Sequence, residues 1–245
     1  MAIVIPTLRS SGSNGIAKTM LLRVVLVWLF TSPTVFAETL TYDVTFNGLR
    51  FGVMNLDLEQ ENDRYKIVAK AHAKGFLGMI LRSRYEGRAE GSIGVEHLIP
   101  ESFYVKSDRV FRHRLTEITF KDARPVAVNL TPVKDHTTLT NPALVVDRRI
   151  DSLSGLFRLF TANPNTCPGP LPLYDGRRLL SVTLARTNDA PFICKGHYRI
   201  DRGPDHSIQK GQREFDLVFT YDPKGGAPRS VEVISGGSVV RLERQ

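Results

Sequence analysis

The sequence predicts an all-β fold: a curved antiparallel sheet forming an open barrel or β-spiral, with one or two short helices. Three observations carry this. Leu40, Tyr42, Val44 and Phe46 alternate strictly with Thr41, Asp43 and Thr45, the period-2 pattern of a strand with one buried face. Short alternations of the same kind recur to the C-terminus, where Phe215, Leu217, Phe219 and Tyr221 form the cleanest of them. Turn residues separate the runs, and roughly ten to twelve short strands of this kind read as an antiparallel meander. A sheet that wide must curl, split or close, because long open edges template aggregation.

The elements follow in order. After the first strand comes Asn47-Gly48, a strong hairpin signal because both positions of a type I′ turn need positive φ. The return strand carries Leu49, Phe51 and Val53, then Met54, Leu56 and Leu58. Its apolar parity flips between Val53 and Met54, which predicts a bulge next to Gly52. Asn62-Asp63 turns the chain into a third strand with Tyr65, Ile67, Ala69 and Ala71. Shorter runs follow at Phe103 with Val105, Ile118 with Phe120, and Val126, Val128 and Leu130. Beyond them lie Leu180, Val182 and Leu184, then Phe192 with Cys194, and Tyr198 with Ile200. Val231 with Val233, and Val239 to Leu242, close the chain. No repeat of fixed period appears, which disfavours a propeller or solenoid.

Two segments break the pattern. In Asp151–Phe160, Leu153, Leu156, Phe157 and Phe160 stand at helical spacing, with Asp151 placed as N-cap and Asn163-Pro164 as stop. Gly75–Leu81 is apolar and too short to classify by period. Both are expected to fill one end of the curled sheet.

The N-terminus carries the features of a secretory signal. Arg9, Lys18 and Arg23 supply positive charge, no acid precedes Glu38, and Val24–Phe30 form an apolar core. Pro33 then breaks the helix, and Val35 and Ala37 fit the positions a signal peptidase reads. Residues 1–37 are therefore expected to be a signal peptide, starting at Met1 or Met20, and residues 38–245 a single β domain. The apolar run Val24–Phe36 includes Thr and Pro and is too short for a bilayer span of about 20 residues. The mature chain is accordingly expected not to be an integral membrane protein. Cysteine is absent near the cleavage point, which argues against a lipid anchor.

The net charge is +8 over the whole chain, and residues 1–37 hold three bases and no acid, which leaves +5 for residues 38–245. The bases are scattered among acids without aromatic interleaving, unlike the concentrated stripe of a nucleic-acid footprint, so nucleic acid is not an expected partner. Arg82, Arg84 and Arg88 with Glu86, Glu90 and Glu96 read as a solvated face. Cys167 and Cys194 are the two cysteines of the chain. In an exported protein such a pair suggests one disulfide, since the compartment is oxidising.

Chemistry-bearing motifs are absent: the chain has no G-x-S-x-G, H-E-x-x-H, P-loop or G-x-G-x-x-G after a strand. The histidines (His72, His97, His113, His136, His197, His206) follow no metal-ligand spacing, and Ser152 and Ser154 read as helix caps. No catalytic residue, cofactor or metal is expected.

The chain resembles the bacterial secreted family known as domain-of-unknown-function family 3108. The resemblance runs from about Leu40 to Leu242 and rests on the hairpin Tyr42–Leu58, on Asp151-Ser152-Leu153-Ser154 heading a helix, and on Tyr174-Asp175-Gly176-Arg177-Arg178 entering a strand. It implies a periplasmic β protein of the Gram-negative envelope without an assigned activity. By fold-level analogy, it suggests a concave sheet that binds a lipid-like ligand or a lipidated partner, and offers no binding residues of its own. If the curled sheet holds a cavity, Phe46, Phe51, Phe215 and Phe219 are expected to line it, since each lies on the apolar parity of its strand. The competing expectation is a protein-interaction module in cell-envelope maintenance with a fully packed core. A hydrolase ranks third.

Sequencing the N-terminus of protein recovered from the envelope fraction should give a chain beginning at Glu38. A chain retaining Leu21–Phe36 in the membrane contradicts the signal assignment.

Overall fold

The computed structural model describes residues 35–74, 83–95, 97–109, 112–163, 165–187, 190–205 and 211–245. Most of the expected signal segment, all of Gly75–Leu81, and the stop residue Pro164 lie outside the described residues.

Among the described residues, fourteen strands form one sheet. From its middle, β1 (Val35–Phe46), β2 (Leu49–Glu61), β3 (Arg64–Ala73), β4 (Arg84–Ile93), β5 (Leu98–Arg109), β6 (Arg112–Lys121) and β7 (Arg124–Thr131) run in sequence to one edge. On the other side, β14 (Ser238–Arg244), β13 (Ser230–Ser235), β12 (Glu214–Thr220), β11 (Ala190–Arg202), β10 (Leu179–Thr187), β9 (Leu171–Tyr174) and β8 (Ile150–Asp151) run to the other edge. Two meanders are thus joined where the first strand pairs with the last, with Tyr42 opposite Arg244 and Phe46 opposite Val240. Among the described strands, β8 and β9 alone pair in parallel.

The opening hairpin turns at Asn47 (φ 48°) and Gly48 (φ 81°). Its register slips between Val44 and Thr45: Val44 faces Gly52 and Thr45 faces Arg50, so Phe51 is the extra residue. This is the bulge the parity flip requires. Below it Leu56 and Leu58 are fully buried opposite Leu40 and Glu38. The first strand begins at Val35, and Val35–Ala37 pair with Glu59–Glu61 as an exposed extension.

Strand β4 is one that periodicity does not reveal. Its inward positions are Gly87, Ala89 and Gly91, while Arg84, Glu86 and Arg88 point outward. The small residues make a slot. A Cβ on Gly87 would lie 2.8 Å from Leu153 Cδ1, and one on Gly91 would lie 2.9 Å from Tyr65 Cε1. The one α-helix among the described residues, α1 (Ser152–Phe160), sits there. It buries Leu153, Ser154, Gly155, Phe157, Leu159 and Phe160. Phe160 meets Tyr42 edge-on with ring centroids 5.5 Å apart, and Phe157 lies 4.9 Å from Tyr65. On its other side Gly155 passes Leu173 so closely that a Cβ would fall 2.7 Å from Cδ2.

The two sheet edges meet without a β ladder. The chain between β7 and β8 bridges them through three short 3-10 turns. Arg149 N donates to Ala123 O at 2.7 Å, Thr137 Oγ1 donates to Arg177 O at 3.0 Å, and Tyr174 OH donates to Leu139 O at 2.5 Å. Gly176 lies on the seam with φ 89°, where a Cβ would meet Thr116 Cγ2 at 2.8 Å. The result is a nearly closed barrel with α1 inside it.

Cys167 and Cys194 are joined, with Cα atoms 5.7 Å apart, tying the segment after α1 to β11. Closing a loop across a separation of 27 residues stabilises the fold by roughly 3–4 kcal/mol on the loop-entropy argument. Replacing both cysteines by alanine should lower the denaturation free energy by about that much, and non-reducing mass mapping of the wild type should find this bridge. Two free thiols in protein purified from an oxidising compartment contradict it.

Candidate functional site

The four phenylalanines expected to line a shared interior are not brought together. Phe215 and Phe219 belong to the core that also holds Phe157 and Phe160, and they are 7% and 2% exposed. Phe215 packs on Tyr198 at 5.6 Å and Phe219 stacks with Tyr221 at 6.4 Å. Phe46 stands at the hairpin tip, 45% exposed, and Phe51 is half-buried at the bulge. The physical reason is the bulge itself, which shifts the facing of the strand ends beyond Val44 and leaves both rings outside the core cluster.

The most concentrated buried polar group lies at the start of α1. Asp151 is fully buried, and its Oδ1 accepts from the backbone N–H groups of Leu153 (2.9 Å) and Ser154 (2.8 Å). Ser154 Oγ donates to Asp151 Oδ2 at 2.5 Å and lies 2.6 Å from Tyr65 OH. Burial pushes the Asp151 carboxyl up to about 6, against the lowering pull of these hydrogen bonds. Burial, then the nearby Asp151 charge, pushes the Tyr65 and Tyr85 hydroxyls well above their ordinary range. A serine beside a carboxylate invites comparison with a nucleophile. Ser154 and Asp151 are both 0% exposed, however, and neither has a histidine among its hydrogen-bond partners. The arrangement caps a helix and holds it to β3, and it offers no route for a substrate.

Two further polar clusters brace the seam. Asp175 Oδ1 accepts from the N–H groups of Arg177 and Arg178, and its Oδ2 takes the Arg178 guanidinium at 2.6–2.7 Å. The turn signature Asp175-Gly176-Arg177-Arg178 is thus a self-contained lock. Asp135 is held by Arg112 (2.7 Å) and Arg114 (2.6 Å). Burial alone would raise its carboxyl, but the hydrogen bonds from Arg114 and Arg112 outweigh burial and hold it below its ordinary value. His206 lies outside the described residues, and the described histidines do not converge: His113 faces Asp108 at 2.9 Å, and His197 faces Asp216 at 2.9 Å. Among the described residues no cluster of three or more His, Cys, Asp or Glu side chains could hold a metal.

Concave surface that a ligand could reach lies outside the core. One open cleft of about 720 Å³ is bounded by Val35, Phe36, Phe160 and the loop Pro223–Ala227. A second, of about 400 Å³, lies where β5, the β6–β7 turn, the entry to β8, α1 and the segment before β9 meet. Its floor is Leu98, Ala123, Ile150 and Leu171, and its rim carries His97, Arg148, Arg149 and Arg158. The sequence did not single out these four side chains, since segments far apart in the chain supply them. The Arg148-Arg149 pair was the one local signal.

These features define a helix-plugged, nearly closed β-sheet protein with several open concavities on its surface. The chain belongs to the family of proteins of unknown function DUF3108, whose profile matches residues 41–189. The match covers β2 to β10 and most of β1, while β11 to β14 lie beyond it. A solved β-barrel-like protein of domain of unknown function DUF1849 from Brucella abortus is similar, with 10% identity, 87% of this chain and 98% of that chain covered, and a TM-score of 0.46. No curated protein matches the chain. Among the described residues no helix is long and apolar enough to cross a membrane.

The buried cap makes a pH prediction. A carboxyl whose folded value lies near 6 rather than 3.8 binds its proton more tightly when folded. Its contribution to stability is therefore complete below about pH 4 and is lost as the pH rises through about 6. The stability lost over that range is roughly 3 kcal/mol. Asp151→Asn, which keeps an acceptor for the helix N–H groups, should show less loss of unfolding free energy between pH 4 and 7 than wild type. Parallel pH profiles for the two proteins contradict the assignment.

Proposed function

We propose that this protein is a non-enzymatic component of the bacterial periplasm that acts through its surface, as an interaction module in cell-envelope maintenance. The observation that carries this is the position of α1. A sheet that carried a lipid in its concave face would need that face empty, and here Phe160 and Phe157 pack on Tyr42 and Tyr65, Leu153 lies against Gly87, and Tyr221 OH donates to Leu159 O. The polar groups nearest to a catalytic arrangement are sealed in the same core. What remains for function is the outer face and its open clefts.

Export fits the same reading. Val35 and Phe36 are exposed and pair only with the end of β2. Cleavage after Ala37 would remove three pairs of an edge extension and leave Leu40 and Tyr42 seated in the core. The disulfide suits an oxidising compartment. The family resemblance also points to the periplasm. The mild positive charge favours anionic envelope components over neutral ones.

Hydrophobic-probe binding and unfolding, measured on the same proteins, test this. Wild type should bind no dye or fatty acid within the sheet, and Phe219→Ala should cost about 3–5 kcal/mol of stability. Native mass spectrometry of protein purified from periplasm should show the bare mass of the mature chain or a bound protein. A stoichiometric co-purified lipid whose retention is lost in Phe219→Leu would place the ligand in the interior and overturn the packed-core reading.

A further inference from the structure

We infer that the seam cleft bounded by His97, Arg148, Arg149 and Arg158 is a binding site for an amphiphilic oxyanion, a phosphate or carboxylate joined to a short apolar group. The inference rests on the surface-acting reading above and gives it a ligand chemistry.

Three features of the cleft point the same way. The first is charge. Three guanidinium groups and an imidazole meet on one rim, and no carboxylate among the described residues lines it. Arg64 and Arg178, by contrast, are each saturated by an acid. Arg148 and Arg158 form no ion pair with any described residue, and both are exposed. Arg148 Nη1 makes only a long 3.5 Å contact with His97 Nε2.

The second is an unmet donor. Arg149 is 13% exposed, and its Nη1 donates to Leu180 O at 3.2 Å and Leu173 O at 3.4 Å, which fixes the group to the sheet edge. It also forms long ion pairs with Asp201 at 3.8 Å and Asp147 at 4.0 Å. Its Nε is buried with no hydrogen-bond partner. A buried donor left unpaired is costly, so the guanidinium of Arg149, which borders the cleft, is incompletely satisfied by the protein.

The third is the floor. Leu98, Ala123, Ile150 and Leu171, with Pro170 and Pro172, give an apolar bed beneath the charges. The volume of about 400 Å³ suits a small headgroup with a few methylenes. A free inorganic anion would leave that bed wet, whereas an amphiphile covers it and adds apolar burial to charge pairing. The architecture supplies the site from rigid parts. Arg158 rides on α1, Arg149 is pinned at the seam, and Ala123 is anchored by its carbonyl to Arg149 N.

Isothermal titration of the mature chain at low salt tests the assignment. The probes are dihexanoylphosphatidic acid below its micelle concentration, dihexanoylphosphatidylcholine, hexanoate and inorganic phosphate. Phosphatidic acid should bind at least tenfold more tightly than phosphatidylcholine or inorganic phosphate, and added salt should weaken it. Arg148→Gln and Arg158→Gln change exposed side chains and should keep the wild-type melting temperature. Each should weaken phosphatidic acid binding by about tenfold, while Lys195→Gln, outside the cleft, should leave it unchanged. Inorganic phosphate binding as tightly as phosphatidic acid overturns the amphiphile assignment. Absence of binding by every probe overturns the cleft as a site and leaves the packed-core reading intact. Binding that survives both arginine changes but falls in Phe219→Leu overturns both readings, because the ligand would then lie inside the sheet.

Discussion

Helix α1 must dry the concave face of the curled sheet, and the cap at Asp151 is what lets it do so. A helix of nine residues is too short to be stable alone in water. It persists because nearly all of it is buried and because its first N–H groups find an acceptor at the point of burial. That acceptor is a carboxyl sealed from solvent. Taking a charge out of water is costly, which is why the carboxyl holds its proton to a higher pH than an exposed aspartate. Ser154 and Tyr65 extend the same network to β3. The cap, the helix and the inner face of the sheet therefore stand or fall together.

The sheet is shaped to receive the helix. On β4, Gly87 leaves room for Leu153 of α1, and Gly91 leaves room for Ile99, Pro100 and Tyr65. Closure then falls to the seam, where β7 and β8 are the two edges of the sheet and do not pair. The Asp175–Arg178 turn, Gly176 against Thr116, and the Tyr174 and Thr137 hydroxyls do there what a ladder does elsewhere. Removing Asp175 would strand a mostly buried Arg178, an imbalance of about 3–5 kcal/mol. A seam bridged by loops leaves recesses that a continuous ladder would close, and the arginine-rimmed cleft is one of these. Fold and candidate site thus share a cause: a sheet whose two edges are joined by loops rather than by a ladder.

Local features of this molecule were legible in the sequence, and non-local ones were not. The β1–β2 hairpin, its bulge beside Gly52 and the Asp151 cap each depend on a few adjacent residues whose chemistry announces them. The cysteine pairing was legible because only one pairing was possible. Strand β4 was hidden because its inward residues are small, so the apolar alternation that marks other strands is missing. Its charged outward face was read correctly, but as surface rather than as half of a strand. The register slip opposite Thr119 and Phe120 exposes Val126, although its spacing matches Val128 and Leu130. Phe46 was assigned to the interior by parity, and a bulge two residues away undid that assignment. The cleft was illegible for a different reason. His97, Arg148 and Arg158 become neighbours only when β5, the seam and α1 come together.

Native-state hydrogen exchange tests the central claim most directly, because it reads the opening free energy of individual amides. If α1 and the inner face of the sheet form one cooperative unit, the amides of α1 beyond its first turn, at Leu156, Phe157, Leu159 and Phe160, should exchange only by global unfolding. Their opening free energy should equal that of the paired core amides of β2 and β3 in the same experiment. Helix amides that exchange several kcal/mol more readily, while β2 and β3 stay protected, would show a plug that leaves the sheet without unfolding it. That result would contradict the packed-core account.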